Sequence, residues 1–430
     1  MMLRVLYSLL WIVILPLALL RLYWRGRKEP GYVRNVGERL GAYGHLPAPG
    51  PWLWVHAVSV GETRAAQPLV EALLAAYPTH RLLLTHMTPT GRQTGAQLFG
   101  KEPRVLQCYL PYDLPWLVSR FLRYFRPAAG MLMETEVWPN LVHGARRAGV
   151  PLFLVNARLS PRSFRRTARF GRAAAAMYAD FAGVLAQTSG DAERFQALGL
   201  EAVQITGNLK FDMQPAPAGI ERGHRLRQAF GSRAVLAAAS TREGEEPFLL
   251  DALSRWPRLG GHTPRPALLL IPRHPQRFDE VAAMAERAGF SVQRRSAMDI
   301  DHLAAPITAD IVLGDSMGEM AMYFAASDLA FVGGSLLPLG GQNLIESCAV
   351  GTPVLVGPHT FNFAQATEDA IDAGACRRVA NAEELMQAAA RLLADATALT
   401  DMRAHARTFA GVHRGATLRT LAALAPALGA

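Results

Sequence analysis

"VHAVSVGETRAAQPLVEALLAAY", residues 55–77, is the stretch on which the fold turns. Its first residues close an apolar run, 52–58, of strand length. A corner of small residues follows, and then 65–77 returns apolar side chains every three or four positions, the spacing of a helix. A strand that turns straight into a helix is the first half of a βα unit. In nucleotide-binding α/β proteins that corner carries glycines, so that a phosphate can rest on the helix N-terminus. Here it carries a carboxylate, Glu62, which repels a phosphate. Two readings of Glu62 stand at this point. Ser59 and Glu62 have capping-box spacing, with the acid bonding back to the cap N–H. Alternatively, the acid is a reactive group at a strand's C-terminal end.

The same rhythm continues on both sides. Strand-like runs are predicted at 52–58, 81–87, 104–110, 130–134, 152–156, 183–187 and 203–206, with helical spacing between them, as at 138–148. The Pro/Ala/Gly stretch "MQPAPAGIERG", 213–223, is predicted to be a linker without an element. The rhythm then restarts with strands at 234–239, 267–271, 291–294, 310–313, 329–332 and 353–356. The last fifty residues have helical spacing alone, at 382–393, 399–409 and 416–424. Alternating βα units predict two α/β, Rossmann-like, doubly wound domains. The expected division is 1–28 as an anchor with a basic flank, 29–212 and 224–430 as the two domains, and 213–223 between them. Ligands of such sheets bind outside the strand C-termini, so a cleft between facing domains is the expected site.

Val5 begins sixteen nearly unbroken apolar residues, followed by Arg21, Arg25, Arg27 and Lys28. Such a helix reaches about 24 Å against a hydrocarbon core of roughly 30 Å. No small-residue cleavage site follows, so an uncleaved anchor is expected, either spanning or deeply interfacial. The basic flank places everything after Arg21 in the cytoplasm. A net charge of +10 favours anionic partners, and three scattered cysteines argue against a disulfide framework.

Further motifs sit at predicted strand ends. Glu134 and Glu136 follow one strand in "MLMETEVWPN", and Lys210 follows another in "GNLKFD". Arg273 and His274 lie in a proline-stiffened turn within "LLLIPRHPQRF", a setting that suits a phosphate or a base edge. Gly340-Gly341-Gln342-Asn343 is predicted to open a helix carrying Glu346, either as a phosphate turn with a ribose contact or as a tight βα turn. Arg162, Arg165, Arg166, Arg169 and Arg172 recur at helical spacing as a basic stripe for lipid phosphates or solvent. No glycine-rich dinucleotide fingerprint, Walker loop or paired histidine-ligand motif occurs. Asp299-Ile300-Asp301 matches a metal-binding Asp-x-Asp, but it lies in a polar connection and is taken as chance. No metal or cofactor is expected.

In order along the chain stand "SVGET", "METEVWPN", "NARLS", "GNLKFD", "STREGEE", "IPRHPQRF", "GDSMGEM", "GGSLLPLGGQN" and "GPHTFNF". This set resembles the 3-deoxy-D-manno-octulosonic acid (Kdo) transferases of lipid A biosynthesis, membrane-anchored inverting glycosyltransferases of GT-B fold. The resemblance covers nearly the whole chain. It implies transfer of Kdo from CMP-Kdo to a tetraacyl, bis-phosphorylated lipid A precursor, with Glu62 as base and Glu134 and Lys210 supporting the transition state. It places CMP on Pro272, Arg273, Met317, Gly318, Glu319, Asn343, Leu344, Ile345 and Glu346. Many members have histidine where this chain has Gln342, which leaves that side chain without an implied role. Two alternatives are an enzyme handling a UDP-sugar on the same fold and a membrane-anchored, non-catalytic binding protein.

Overall fold

The structure is a computed structural model that describes residues 2–27, 29–44, 50–259, 262–303 and 305–429. Lys28 of the basic flank lies outside the described residues. The chain forms two compact units, Met1–Met213 with Arg414–Ala430, and Gln214–His413.

The first unit holds seven parallel strands: β1 (Trp52–His56), β2 (Arg81–His86), β3 (Val105–Tyr109), β4 (Pro127–Met133), β5 (Leu152–Ala157), β6 (Gly183–Ala186) and β7 (Val203–Ile205). Their order is β3-β2-β1-β4-β5-β6-β7. β1 is buried at every position. Trp52 and Trp54 enter the aromatic layer around Phe121 and Phe125, while Leu53 and Val55 enter the layer under helix Val60–Ala76. Helices cover both faces of such a sheet, which is why its strands read as continuous apolar runs.

The second unit repeats the plan with β8 (Val235–Thr241), β9 (Ala267–Pro272), β10 (Val292–Arg294), β11 (Ile311–Leu313), β12 (Leu329–Val332), β13 (Val354–Val356) and β14 (Cys376–Arg378). All pair in parallel, in the order β10-β11-β9-β8-β12-β13-β14. Strand order reverses between β1 and β4 in one sheet and between β8 and β12 in the other. Ligands of open α/β sheets lie outside the strand C-termini at such reversals.

Three expectations need correction. The stretch 213–223 is not empty of structure, because a helix runs Pro217–Ala229. Pro217 starts it, and Gly223 lets it approach the helix Met320–Ala325 closely; a Cβ there would meet the Met322 carbonyl oxygen at 2.5 Å. The final helix, Ala416–Leu428, belongs to the first unit rather than the second. Ala416 and Leu424 join the layer with Val70 and Leu73, and the Asp212 carboxylate accepts the Gly415 N–H at 2.6 Å. β14 was missed because it is three residues long and two of them are arginines.

The N-terminal helix runs Met2–Gly26 with Pro16 inside it. Its segment Arg4–Gly26 is long and apolar enough to cross a bilayer. Trp11, Leu15, Leu19 and Leu22 pack against Tyr112, Leu114 and Leu117 of the first unit.

Candidate active site

In the first unit, the reversal of strand order puts Glu62 and Glu134 on adjoining strand ends. Glu62 follows β1 and Glu134 follows β4. Ser59 caps helix Val60–Ala76 through its side chain, accepting the Glu62 N–H. The other half of the capping box differs from expectation. Glu62 Oε2 accepts the N–H of Val58, at 2.7 Å, rather than that of Ser59. Among the described residues, Glu62 Oε1 accepts the Ser59 hydroxyl alone, at 3.3 Å. Burial and then the neighbouring Glu134 push the Glu62 pKa up to about 8, partly opposed by the Val58 hydrogen bond.

Glu134 is held in place more rigidly. Its φ is 57°, a left-handed conformation that costs a non-glycine residue roughly 1–3 kcal/mol. The backbone is pinned on both sides, its N–H to the Val155 carbonyl at 2.9 Å and its carbonyl to the Arg158 N–H at 3.2 Å. Lys210 Nζ meets Glu134 Oε1 at 2.8 Å, with both side chains about one-sixth exposed. Asn156, the second left-handed residue at this edge, sets the position of that lysine. Its Oδ1 accepts the Leu209 N–H at 3.0 Å, and Asn208 Oδ1 then accepts the Lys210 N–H at 3.0 Å. Glu136 accepts the Trp138 indole N–H at 2.6 Å, and burial raises its pKa.

The histidines nearby are poor proton acceptors. His56 lies edge-on to Trp138, and burial drives its pKa to about 3. Burial likewise lowers His86 to about 4. Asp113 is raised to about 6 by burial, but its oxygens are occupied by the N–H groups of Asn140 and Leu141. Among the described groups at this sheet edge, Glu62 combines a near-neutral pKa with an oxygen held by a single long hydrogen bond.

In the second unit, Pro272 ends β9 and Arg273 follows, its N–H donating to the Thr241 carbonyl at 2.9 Å. His274 is exposed, and partial burial followed by the charges of Arg242, Arg273 and Arg277 lowers its pKa. Glu319 accepts Arg222 at 2.8 Å and Arg295 at 2.7 Å. Beside it Met317 is exposed and Gly318 adopts φ 81°. The Asn343 side-chain amide donates to Glu346 Oε1 at 3.0 Å, and its Oδ1 accepts the Ile345 N–H at 3.1 Å. Leu344 and Ile345 are buried, and the Leu344 carbonyl accepts the Cys348 N–H at 3.1 Å.

The glycine turns differ from the expected open phosphate cradle. Gly334 N–H donates to Glu245 at 2.6 Å, Gly341 N–H to the Gly334 carbonyl at 2.7 Å and Gln342 N–H to the Gly333 carbonyl at 3.0 Å. These donors are spent inside the protein, and the helix after them, Ile345–Val350, is only six residues long. Sequence reasoning missed the acid responsible. Glu245 also accepts Arg242 and Leu336 N–H groups, while the fully buried Glu246 pairs with Arg277 at 2.7 Å. Two successive acids directly after a strand, in "STREGEE", were the available signal.

The basic stripe is shorter than expected. Arg162, Arg165 and Arg166 lie on helix Pro161–Ala168, Arg169 caps its end, and Gly171 at φ 48° breaks the chain direction. All four arginines are exposed; the Arg172 side chain lies outside the described set. Asp301 pairs with Arg225, and Asp299 accepts the Asp301 N–H. Among the described residues no three histidine, cysteine or acidic side chains converge as a metal site.

A sequence profile for 3-deoxy-D-manno-octulosonic-acid transferase (kdotransferase) matches residues 34–213. The 3-deoxy-D-manno-octulosonic acid transferase of Bordetella pertussis is 46% identical over 437 aligned positions, spanning 99% of this chain and all of that one. The chain belongs to the Kdo transferase family. The Haemophilus influenzae enzyme of the same name is 37% identical, across 84% of this chain and 83% of its own. Among solved structures, a glycosyltransferase from Rickettsia africae superposes with TM-score 0.60 at 12% identity, covering 89% of this chain and 99% of its own. The Anabaena protein HepE, solved with UDP, gives 0.59 at 15%, covering 88% and 99%. Both likenesses concern the fold, which is two-domain α/β of GT-B type. As a Kdo transferase, the chain is a glycosyltransferase of lipopolysaccharide biosynthesis.

Proposed function

We propose that this Kdo transferase moves Kdo from CMP-Kdo to a hydroxyl of a tetraacyl, bis-phosphorylated lipid A precursor (lipid IVA), with inversion and with Glu62 as general base. The observation that carries the reading is the Glu62 carboxylate: half-buried, set at the reversal of strand order, and shifted to a pKa of about 8. A base of that pKa holds a proton firmly and is about one-tenth ionised at pH 7, rising to half near pH 8, so the reactive form is present in the range where general-base catalysis operates.

The resting hydrogen bonds are compatible with this role. The Val58 N–H fixes Oε2, while the Ser59 hydroxyl, only 3.3 Å from Oε1, can rotate away as an acceptor hydroxyl arrives. The acceptor O–H proton passes to Oε1 as its oxygen forms a bond to the anomeric carbon. The bond from that carbon to the CMP phosphate oxygen breaks on the opposite side, and CMP leaves with the electron pair. Lys210, held by Glu134, supplies positive charge in the first unit, and Arg273 supplies it in the second. The second unit binds CMP through Pro272, Arg273, Met317–Glu319 and Asn343–Glu346. The reading requires no metal, the neutralising charge coming from side chains.

The apolar N-terminal helix and Arg21, Arg25 and Arg27 support inner-membrane localisation with both units on the cytoplasmic face. The exposed arginines of Pro161–Ala168 would engage acceptor phosphates. The direct test is to incubate the protein with CMP-Kdo and the tetraacyl precursor in the presence of EDTA. The reading expects a lipid mass increased by Kdo residues, with matching CMP release. CMP release without a heavier lipid would refute the acceptor assignment.

A further inference from the structure

The N-terminal helix has the composition of a membrane span, and one of its faces is packed on the first unit. Half-buried positions return every three or four residues along nearly its whole length, including Arg4, Ser8, Trp11, Leu15, Leu19 and Leu22. That face is docked on the first unit. Ser8 and Asn140 exchange hydrogen bonds at 3.0–3.2 Å, the Trp11 and Tyr112 rings lie 5.5 Å apart, and Leu22 packs in the same cluster as Leu114 and Leu117. At the far end Arg25 stacks on Tyr32 at 4.2 Å. From Ser8 to Leu22 the docked length is about 21 Å at 1.5 Å per residue. Crossing a bilayer takes about 20 residues in hydrocarbon. A spanning pose would therefore carry Asn140 and the adjacent buried Asp113 to hydrocarbon depth, or strip the helix from Tyr112, Leu114 and Leu117.

The opposite face is apolar and uncovered, with Leu6, Leu9, Val13, Leu17 and Leu20 each more than half exposed and Trp24 at the end. Its surroundings are cationic. Arg21 and Arg25 are exposed on the last turns, and a pocket of about 410 Å³ beside the first turn is lined by Arg4, Arg123 and Arg147, together with His143, whose Nδ1 pairs with Asp180 at 2.9 Å. An apolar stripe rimmed by arginines complements an anionic lipid surface, with Trp24 suited to the headgroup level. The docking residues also identify which part of the first unit faces that surface. Tyr112 and Leu114 follow β3, and Met87, in the same cluster, follows β2. That is the strand-end edge carrying Glu62, Glu134 and Lys210.

We propose that the N-terminal helix lies in the plane of one leaflet of an anionic bilayer, docked along its inner face on the first unit, and holds the Glu62 edge of the sheet at the headgroups without crossing the membrane. The proposal rests on the membrane localisation above and specifies its geometry.

The test uses the full chain in sealed membrane vesicles with the catalytic units outward, that side being confirmed by labelling Glu71→Cys with an impermeant maleimide. Cys108, Cys348 and Cys376 are buried. Arg4→Cys and Arg25→Cys should both label from the outer side, and the pair Ser8→Cys/Asn140→Cys should form a disulfide in the membrane under mild oxidant. Loss of Arg4→Cys labelling from that side, with labelling only after the vesicles are opened, would overturn the in-plane pose while leaving membrane localisation intact. Failure of the chain to sediment with phosphatidylglycerol-containing vesicles would overturn the localisation and this proposal together. Recovery as a soluble dimer with the apolar face covered would assign that face to a second copy instead.

Discussion

Glu62 shows how one side chain can serve both a helix and a reaction. A capping acid with both oxygens bonded would be a poor base. Here the two oxygens differ, since one takes a 2.7 Å backbone N–H and the other a 3.3 Å hydroxyl. The like charge of Glu134 adds to burial in raising its pKa to about 8. If Glu62 is the base, kcat should rise with pH along a limb centred near that value. Glu134→Gln removes the negative charge that faces Glu62, which favours ionised Glu62. The limb should therefore move to lower pH while the maximal rate falls, as a pH–rate profile of the variant would show. An unmoved midpoint would separate the two acids. That Glu62 belongs to a strand–turn–helix corner was legible in "SVGET". That its partner would be Val58 N–H was not, because capping spacing alone does not say which N–H the acid reaches.

At the scale of elements, the site depends on how strand ends are tied together. Asn156 joins the end of β5 to the turn Leu209–Asp212, and with it to Lys210. Asn156→Ala strands the Leu209 N–H and places alanine at φ 52°. The expected loss is about 1–3 kcal/mol for the unpaired buried donor, with somewhat more from the left-handed backbone. Denaturant unfolding would measure it, and kcat should drop while CMP affinity is retained. The arginine helix poses a separate question. Reversing Arg165, Arg166 and Arg169 to Glu should raise the lipid acceptor's apparent KM and spare CMP-Kdo affinity, with an effect that shrinks at high salt. Unchanged lipid kinetics at physiological salt would reduce these residues to solvated surface. Their stripe was overextended from sequence because helical spacing continues past Ala168, whereas Gly171 turns the chain.

For the whole molecule, two doubly wound sheets were legible because strands buried on both faces read as short apolar runs between turn residues. Elements escaped where this signal was absent or misleading. Cys376–Arg378 is too short and polar, and Pro217–Ala229 begins with the very residues that mark linkers. The final helix was placed in the wrong unit because its apolar spacing says that it is packed, not against what. The glycine turns of the second unit were legible as turns, but the Gly334, Gly341 and Gln342 N–H groups are engaged by Glu245 and by the Gly334 and Gly333 carbonyls. Nucleotide recognition is therefore expected to rest on Arg273, Glu346 and nearby backbone. CMP should raise the thermal midpoint more than UDP at equal concentration; the reverse order would favour a UDP-sugar enzyme on the same fold. The most direct measurement is Kdo transfer by Glu62→Gln in a folded preparation that still binds CMP-Kdo. The account predicts turnover reduced about 10²–10⁴-fold with donor affinity retained, and near-normal turnover would contradict it.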